Sequence, residues 1–434
     1  MIQRKKCFLV LLIGLFCQFH TYAQSQYFIT DKEGFDFVLN IDVDGTTLNG
    51  FTRENALLDY ASKLEYRVIK LASSLKHPEI IRFNAILANG HFEGTYDYLF
   101  SSYKVVGKMD KDSISYSLFD NDNVLRRSFE GKRITSYTKK DYHKLAQDII
   151  NITEADIYDP TITQSKKWSQ FKDKFLSVSS KTYDDLEFQV GFFALIRKIG
   201  FSHYYISKNI IETNAENDKS TLTEIDKSTA LLRIKSFAER QNSIKPLLDS
   251  IQSKGYSNLI IDIRDNPGGN FESTFLVANF LTDKEFISGF FPNRTWYETY
   301  HRLPNKNDID KFSLMDNDSI QTDPKYGFYA KTKGSEHCFK GKVYLLVNHN
   351  TGSAAEALAI GAKEYGLATL VGEKTAGGLL KIKKYKMDDD ILLFIPAYDF
   401  ISYNGYRVDQ NGVKPDIETK KGQELEALKH IIQQ

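Results

Sequence analysis

The chain has 434 residues, 41% of them hydrophobic and 26% charged, a globular balance with room for two or three domains. Its formal net charge is only +1, which excludes the strong basic field that would point to a nucleic-acid partner. The 30 Phe and 25 Tyr suit strands with aromatic faces.

Arg4, Lys5 and Lys6 precede a short apolar run from Cys7 to Phe16, and Thr21-Tyr22-Ala23 puts a small residue before Gln24. This pattern predicts a cleaved secretory signal over residues 1–23, because the apolar run is well short of the roughly 20 residues of a spanning helix. Bulky Phe16 before Cys17 argues against a lipoprotein cysteine. After cleavage Cys338 stands alone, with neither an intramolecular disulfide nor a thiolate metal site open to it. No later stretch is apolar enough to span a bilayer. The expected location is periplasmic or extracellular.

Residues 24–140 open with a helical segment near Arg53 to Leu75 and continue as a strand-rich run from Gly90 to Thr135. Within that run Tyr96, Tyr98 and Phe100 alternate, as do Ile114, Tyr116 and Leu118, the period of half-buried strands. A small accessory β-rich N-terminal domain is expected. Residues 141–211 turn helical: Leu145, Ile149 and Ile150 share a face, Trp168, Phe171 and Phe175 a second, and Phe192, Leu195, Ile196 and Ile199 a third. Such aromatic stripes are packing surfaces more often than cofactor sites. A polar linker covers Glu212 to Lys227.

From residue 228 to 420 strands and helices alternate. Strands are expected at Ala230–Ser236, Asn258–Ile263, Lys342–Val347 and Thr369–Val371, and helices at Ser243–Ser253, Phe271–Leu281 and Ala354–Tyr365. Aromatic strand-like residues run on to Tyr300, and a polar excursion spans Leu303 to Lys340. The alternation predicts an α/β core with a mostly parallel sheet covered by helices.

Two segments of this core could carry chemistry. In the first, a buried strand ends at Val347 and a helix starts near Ser353, placing a hydroxyl where unpaired amides and the helix dipole favour a developing anion. Ser353 and Glu356 equally match a capping box, in which Ser caps the helix and Glu reaches back to the cap amide. In the second, the strand Ile260–Ile263 runs into Arg264-Asp265-Asn266-Pro267-Gly268-Gly269. Consecutive glycines let backbone amides approach a ligand closely, and the same sequence also serves a plain strand-to-helix turn.

Taken together, the motifs resemble those of the C-terminal-processing (tail-specific) serine peptidases and their tricorn-protease branch. Asp262 to Gly269 is similar to that family's Asp-x-Arg-x-Asn-x-Gly-Gly pattern, and Thr351 to Glu356 to its nucleophile segment. Val371 to Gly377 is similar to the strand and turn that follow, and Gly412-Val413-Lys414-Pro415-Asp416 to its Gly-Val-x-Pro-Asp ending. The resemblance implies a ClpP/crotonase-like core, Ser353 as nucleophile and extended peptide or unfolded protein substrates, with no metal or other cofactor. It implies an oxyanion hole from the Ala354 amide and one amide of the Gly268-Gly269 turn, Gly268 first.

The general base departs from the pattern. The tail-specific branch places a lysine directly after the second motif's glycine and a glutamine four residues on; Gly378 and Ile382 stand there. The tricorn branch's base histidine, taken from the first core strand, maps to Arg233, which stays protonated, and its glutamate maps to Asp409. The remaining candidates are His203 and, after it, Lys381, with Asp409 orienting the base; His349 ranks lower. Too few residues separate His203 from Ala230 for the PDZ domain common in the family. The expectation is an exported serine-type peptidase. The alternatives are an inactive peptide-binding relative and an apolar-ligand carrier like the retinoid-binding modules that share the fold.

Overall fold

A computed structural model describes residues 25–432, apart from isolated positions, residues 209–218 and 316–323, and most of 61–74. The signal expected over residues 1–23 lies outside the described residues, as does most of the helix expected from Arg53 to Leu75. The chain divides into two compact units, one of residues 1–31 and 36–139, the other of residues 32–35 and 140–434.

The first unit is a closed antiparallel barrel of eight strands. They are β1 (Ser25–Thr30), β2 (Phe37–Asp44), β3 (Thr47–Phe51), β4 (Ile81–Ala88), β5 (His91–Tyr98), β6 (Ser101–Met109), β7 (Ser113–Phe119) and β8 (Leu125–Ile134). A short helix, α1 (Ala56–Tyr60), lies between β3 and β4. Each strand pairs with its neighbour in sequence, and β1 closes the ring against β8, Gln26 opposite Ile134. The alternating residues Phe83, Phe92, Tyr96, Tyr116 and Phe129 are buried, with ring centroids 4.8–6.5 Å apart. Phe83 lies where a Cβ on Gly50 would be, 2.2 Å from its Cε1, and Phe92 does the same above Gly107 at 2.5 Å. Aromatic rings laid over glycines fill the barrel with side chains.

The second unit begins with α2 (Tyr142–Asp156), α3 (Pro160–Thr163), α4 (Lys166–Ser179) and α5 (Asp185–Ile196), followed by β9 (Tyr205–Lys208). Asp141, Asp159, Ser165 and Asp184 cap the four helices through side-chain oxygens, each satisfying an orphan amide. The aromatic stripes on α4 and α5 pack on one another, with Phe175 5.4 Å from Phe192. These helices fall in the same compact unit as the sheet that follows.

That sheet has six strands: β10 (Thr221–Asp226), β11 (Thr229–Arg233), β12 (Asn258–Asp262), β16 (Lys342–Val347), β17 (Thr369–Gly372) and β21 (Ile417–Glu418). β10 is antiparallel to β11 and every other pairing is parallel. Parallel strands need crossovers, supplied here by α6 (Gln241–Lys254), α7 (Phe271–Phe280) and α9 (Ala354–Glu364). Leu259, Ile261 and Leu345 pack against Ile244, Leu248, Val277 and Leu358 of those helices. Ile260, Tyr344, Leu346 and Val371, pointing the other way, meet Leu428 of α10 (Glu424–Ile432). Burial on both faces explains why these strands read as continuous apolar runs.

Two smaller sheets complete the unit. One orders β14 (Ser313–Leu314), β15 (Gly327–Thr332), β13 (Phe286–Pro292) and β20 (Ile401–Ser402); the other orders β18 (Lys381–Lys386), β19 (Ile391–Tyr398) and β9. The aromatic stretch expected to stay extended to Tyr300 instead breaks after Pro292 into α8 (Arg294–Tyr300). Asn293 caps it, accepting from the Trp296 amide, and Arg294 pairs with Glu298 one turn on at 2.6 Å. Cap and i,i+4 pair together override the strand preference of Trp and Tyr. Among the described residues no helix is long and apolar enough to cross a membrane.

Candidate active site

At the carboxyl end of β16 a tight loop leads into α9. The Asn348 amide donates to Thr351 Oγ1 at 3.0 Å, that hydroxyl donates to the Ile263 carbonyl at 2.9 Å, and the Gly352 amide donates to the Asn266 carbonyl at 2.9 Å. The loop is thus tied to the turn after β12. Ser353 then takes φ 52° and ψ −124°, backbone that L-residues avoid. Strain of this kind costs about 1–3 kcal/mol and persists only where surroundings enforce it. Glu356 accepts the Ser353 amide at 3.1 Å, so the Glu half of a capping box is present. A plain N-cap keeps β-region backbone, however, and Ser353 does not.

The glycine turn lies against this serine. A Cβ on Gly268 would sit 2.6 Å from Ser353 Cβ and 2.8 Å from the Ala354 nitrogen, so only glycine permits the contact. Gly268 also has φ +98°. Asn348 and Asn350 donate to Asp265 Oδ1 at 2.8 and 2.9 Å, pinning the two loops together. The Gly268 amide donates to Asn266 Oδ1 at 2.8 Å and is therefore already engaged. Among the described residues, the Gly269 and Ala354 amides make no such bond.

The third element is the turn after β17. Its residues dock on the Gly412 segment: the Gln410 amide donates to the Gly377 carbonyl at 2.7 Å and the Val413 amide to Thr375 Oγ1 at 2.7 Å. The Gly378 carbonyl accepts the Ser353 amide at 3.0 Å. A Cβ on Gly378 would meet His203 Cε1 and Ser202 Oγ at 3.9 Å each. Ser353 and His203 therefore flank a single residue, the one where the family's lysine would stand.

His203 belongs to a hydrogen-bonded chain that sequence reading missed. Ser202 Oγ donates to Asp409 Oδ1 at 2.6 Å and lies 2.8 Å from His203 Nδ1. With its proton on the aspartate, the hydroxyl accepts from His203 Nδ1–H, which leaves Nε2 as the basic nitrogen. His203 has φ +59°, and burial lowers its pKa below the usual imidazole value. Asp409 is buried; burial raises its carboxyl pKa, opposed by the Ser202 bond and the Arg407 charge.

The other candidates lie elsewhere. Lys381 holds its ammonium over the Phe328 ring, 5.5 Å from the centroid. His349 pairs with Glu373 at 3.1 Å on the surface. Arg233 pairs with Asp262 at 2.6 Å. Burial works to raise the Asp262 carboxyl, but the guanidiniums of Arg264 and Arg233 outweigh it and hold its pKa below the usual range.

A strained serine opening a helix, a glycine turn against it and a hydrogen-bonded histidine beside Gly378 are elements that a serine-type hydrolase would use. Residues 228–419 match the model of peptidase family S41. The chain is 24% identical over 197 residues to the carboxy-terminal processing protease CtpA of Bacillus subtilis (strain 168), covering 45% of this chain and 36% of that protein. It is 24% identical over 213 residues to a probable CtpA-like serine protease of Staphylococcus epidermidis, covering 48% and 38%. The chain thus spans little more than a third of the length of these relatives. A solved lipoprotein structure from Streptococcus agalactiae aligns with a TM-score of 0.48 at 14% identity, covering 69% of this chain and 99% of that one.

Proposed function

We propose that the chain is an exported serine-type peptidase, periplasmic or extracellular, acting on peptides or unfolded proteins. On this reading residues 228–420 are the ClpP/crotonase-like peptidase core, residues 141–211 its helical companion and residues 24–140 an accessory domain. Ser353 Oγ attacks the scissile carbonyl while His203 Nε2 takes its proton. Asp409, acting through Ser202, holds the imidazole in the required tautomer and stabilises the imidazolium. The Ala354 and Gly269 amides receive the oxyanion, since the Gly268 amide is bonded to Asn266. His203 then protonates the leaving amine, and water hydrolyses the acyl-enzyme with the same residue as base. The observation that carries this reading is the Asp409–Ser202–His203 chain abutting Gly378, whose carbonyl holds the Ser353 amide.

The test is fluorophosphonate labelling and cleavage of an unstructured protein by wild type, Ser353→Ala and His203→Ala. Labelling and cleavage lost in both variants support the reading; wild type as inert as Ser353→Ala overturns it. The engaged Gly268 amide favours a second reading, a non-catalytic peptide binder, which then takes over. The apolar void between α7 and α9, lined by Phe275, Phe286 and Leu358, holds about 10 Å³, too little for an apolar ligand.

A further inference from the structure

Glu356 makes far more contacts than a helix cap requires. Its side chain is fully buried, and four donors converge on its two oxygens. Oε1 accepts Thr375 Oγ1 at 2.5 Å and the Gly377 amide at 2.7 Å. Oε2 accepts the Gly378 amide at 2.8 Å and the Ser353 amide at 3.1 Å. The donors come from two segments: the nucleophile itself, and the turn whose last residue packs against His203 and Ser202. All four partners are donors, so the site requires an acceptor-only group. An ionised carboxylate satisfies four donors, whereas a carboxamide would turn two of its own protons toward them. No basic side chain pairs with Glu356 among the described residues; burial raises its carboxyl pKa, and the bonds from Thr375, Gly377, Gly378 and Ser353 pull it back toward the ionised form.

We propose that Glu356 is a positioning residue of the peptidase site: its carboxylate fixes the spacing between Ser353 and the Gly377-Gly378 turn that backs His203. A capping box explains only the bond to the Ser353 amide. The three bonds to Thr375, Gly377 and Gly378 reach across to another element, and through Ser353 and Gly378 they act on both partners of the proton transfer. The same four bonds help hold the unfavourable backbone of Ser353 in place.

The inference rests on the peptidase reading for its kinetic test, in which Glu356→Gln and Glu356→Asp are compared with wild type in the intact chain. For Glu356→Gln, kcat should fall about 100-fold or more with KM within about threefold, the pattern of an interaction used in the transition state. Fluorophosphonate labelling of Ser353 should slow by a similar factor, and Glu356→Asp should recover part of the loss. A lower melting temperature with wild-type kcat and labelling below it would mean a cap only and overturn the proposal. If Glu356→Gln does not fold, Thr375→Val removes one donor from the carboxylate; slower labelling supports the role and an unchanged rate refutes it. A crystal structure of the most stable variant separates this inference from the peptidase reading. A Gly377-Gly378 turn withdrawn from Ser353 upholds positioning even if no substrate is ever cleaved, and an unmoved turn overturns it whatever the activity.

Discussion

Ser202 and Asp409, 207 positions apart in the chain, meet in a 2.6 Å hydrogen bond whose donor oxygen also touches His203 Nδ1. Ser202→Ala cuts that connection while leaving Ser353, the glycine turn and the imidazole in place. The expected result is a kcat/KM loss of about 100-fold, the lower end of what a positioned base contributes. Asp409→Asn should act in the same direction, and Ser202→Thr should restore most of the rate. Steady-state kinetics on an unstructured peptide decides it, with equal rates for wild type and Ser202→Ala as the adverse outcome.

The pH dependence carries its own signature. A general base must be neutral, so activity rises as pH rises through its pKa. Burial depresses His203, so the acid limb of kcat/KM should have its midpoint below the roughly 6.5 of a free imidazole. A midpoint several units higher would point to a lysine base and exclude His203.

Gly378 allows a base to be exchanged. A side chain there would start 3.9 Å from His203 Cε1, an ordinary contact, so a lysine at this position and the imidazole would compete for one volume. His203→Ala combined with Gly378→Lys should regain at least about tenfold over His203→Ala alone, since a positioned base is worth about 10²–10⁴. The acid limb should also move upward, because an unperturbed lysine titrates near 10.4. Activity no better than that of His203→Ala would show that the two positions do not converge on the nucleophile.

Gly268→Ala should be costly for a separate reason. The new methyl would lie 2.6 Å from Ser353 Cβ on backbone at φ +98°. A loss of about 1–3 kcal/mol in urea unfolding is expected from the backbone alone, with labelling of Ser353 abolished. Wild-type stability and labelling would contradict the placement of this turn.

Asp399 is fully buried, bonded by Tyr297 and paired with Arg407 at 2.8 Å. Burial pushes its carboxyl up to about 6, with Arg407 and Tyr297 pulling the other way. A free aspartate titrates near 3.9, so between those values the folded chain binds the proton more tightly than the unfolded one. Stability from this group therefore falls as pH rises from about 4 through about 6. Urea unfolding at pH 4.5 and 7 should show a smaller pH difference in Asp399→Asn than expected of the ionisable residue; identical slopes would count against the assignment.

The legible parts of this molecule are those encoded locally. Ile260 to Asp262 and Val343 to Val347 read as buried strands because both faces are covered, and Gly268-Gly269 reads as a turn because glycines permit one. The helix beginning after Ser353 is visible from Glu356 three residues on, although its bonds to the Thr375 turn are not. The bond from Ser202 to Asp409 is not legible locally, since its partners stand 207 residues apart. The Gly268 amide looks available until Asn266 folds its side chain back on it. Strands β1 to β4 escaped for the same reason: much of what holds a barrel strand is pairing with a neighbour, not a local preference.

The barrel's closure has a consequence for the order of folding. β1 is the first of its strands to be synthesised, yet one of its two edges is satisfied only when Ile134 arrives opposite Gln26. Until β8 is made, the growing chain carries an open strand edge and rings with no opposite wall. Contacts this distant in sequence form late, because the loop must close before they contribute. A chain interrupted anywhere before β8 would present that edge to other chains, so nascent or truncated forms should be the ones that aggregate.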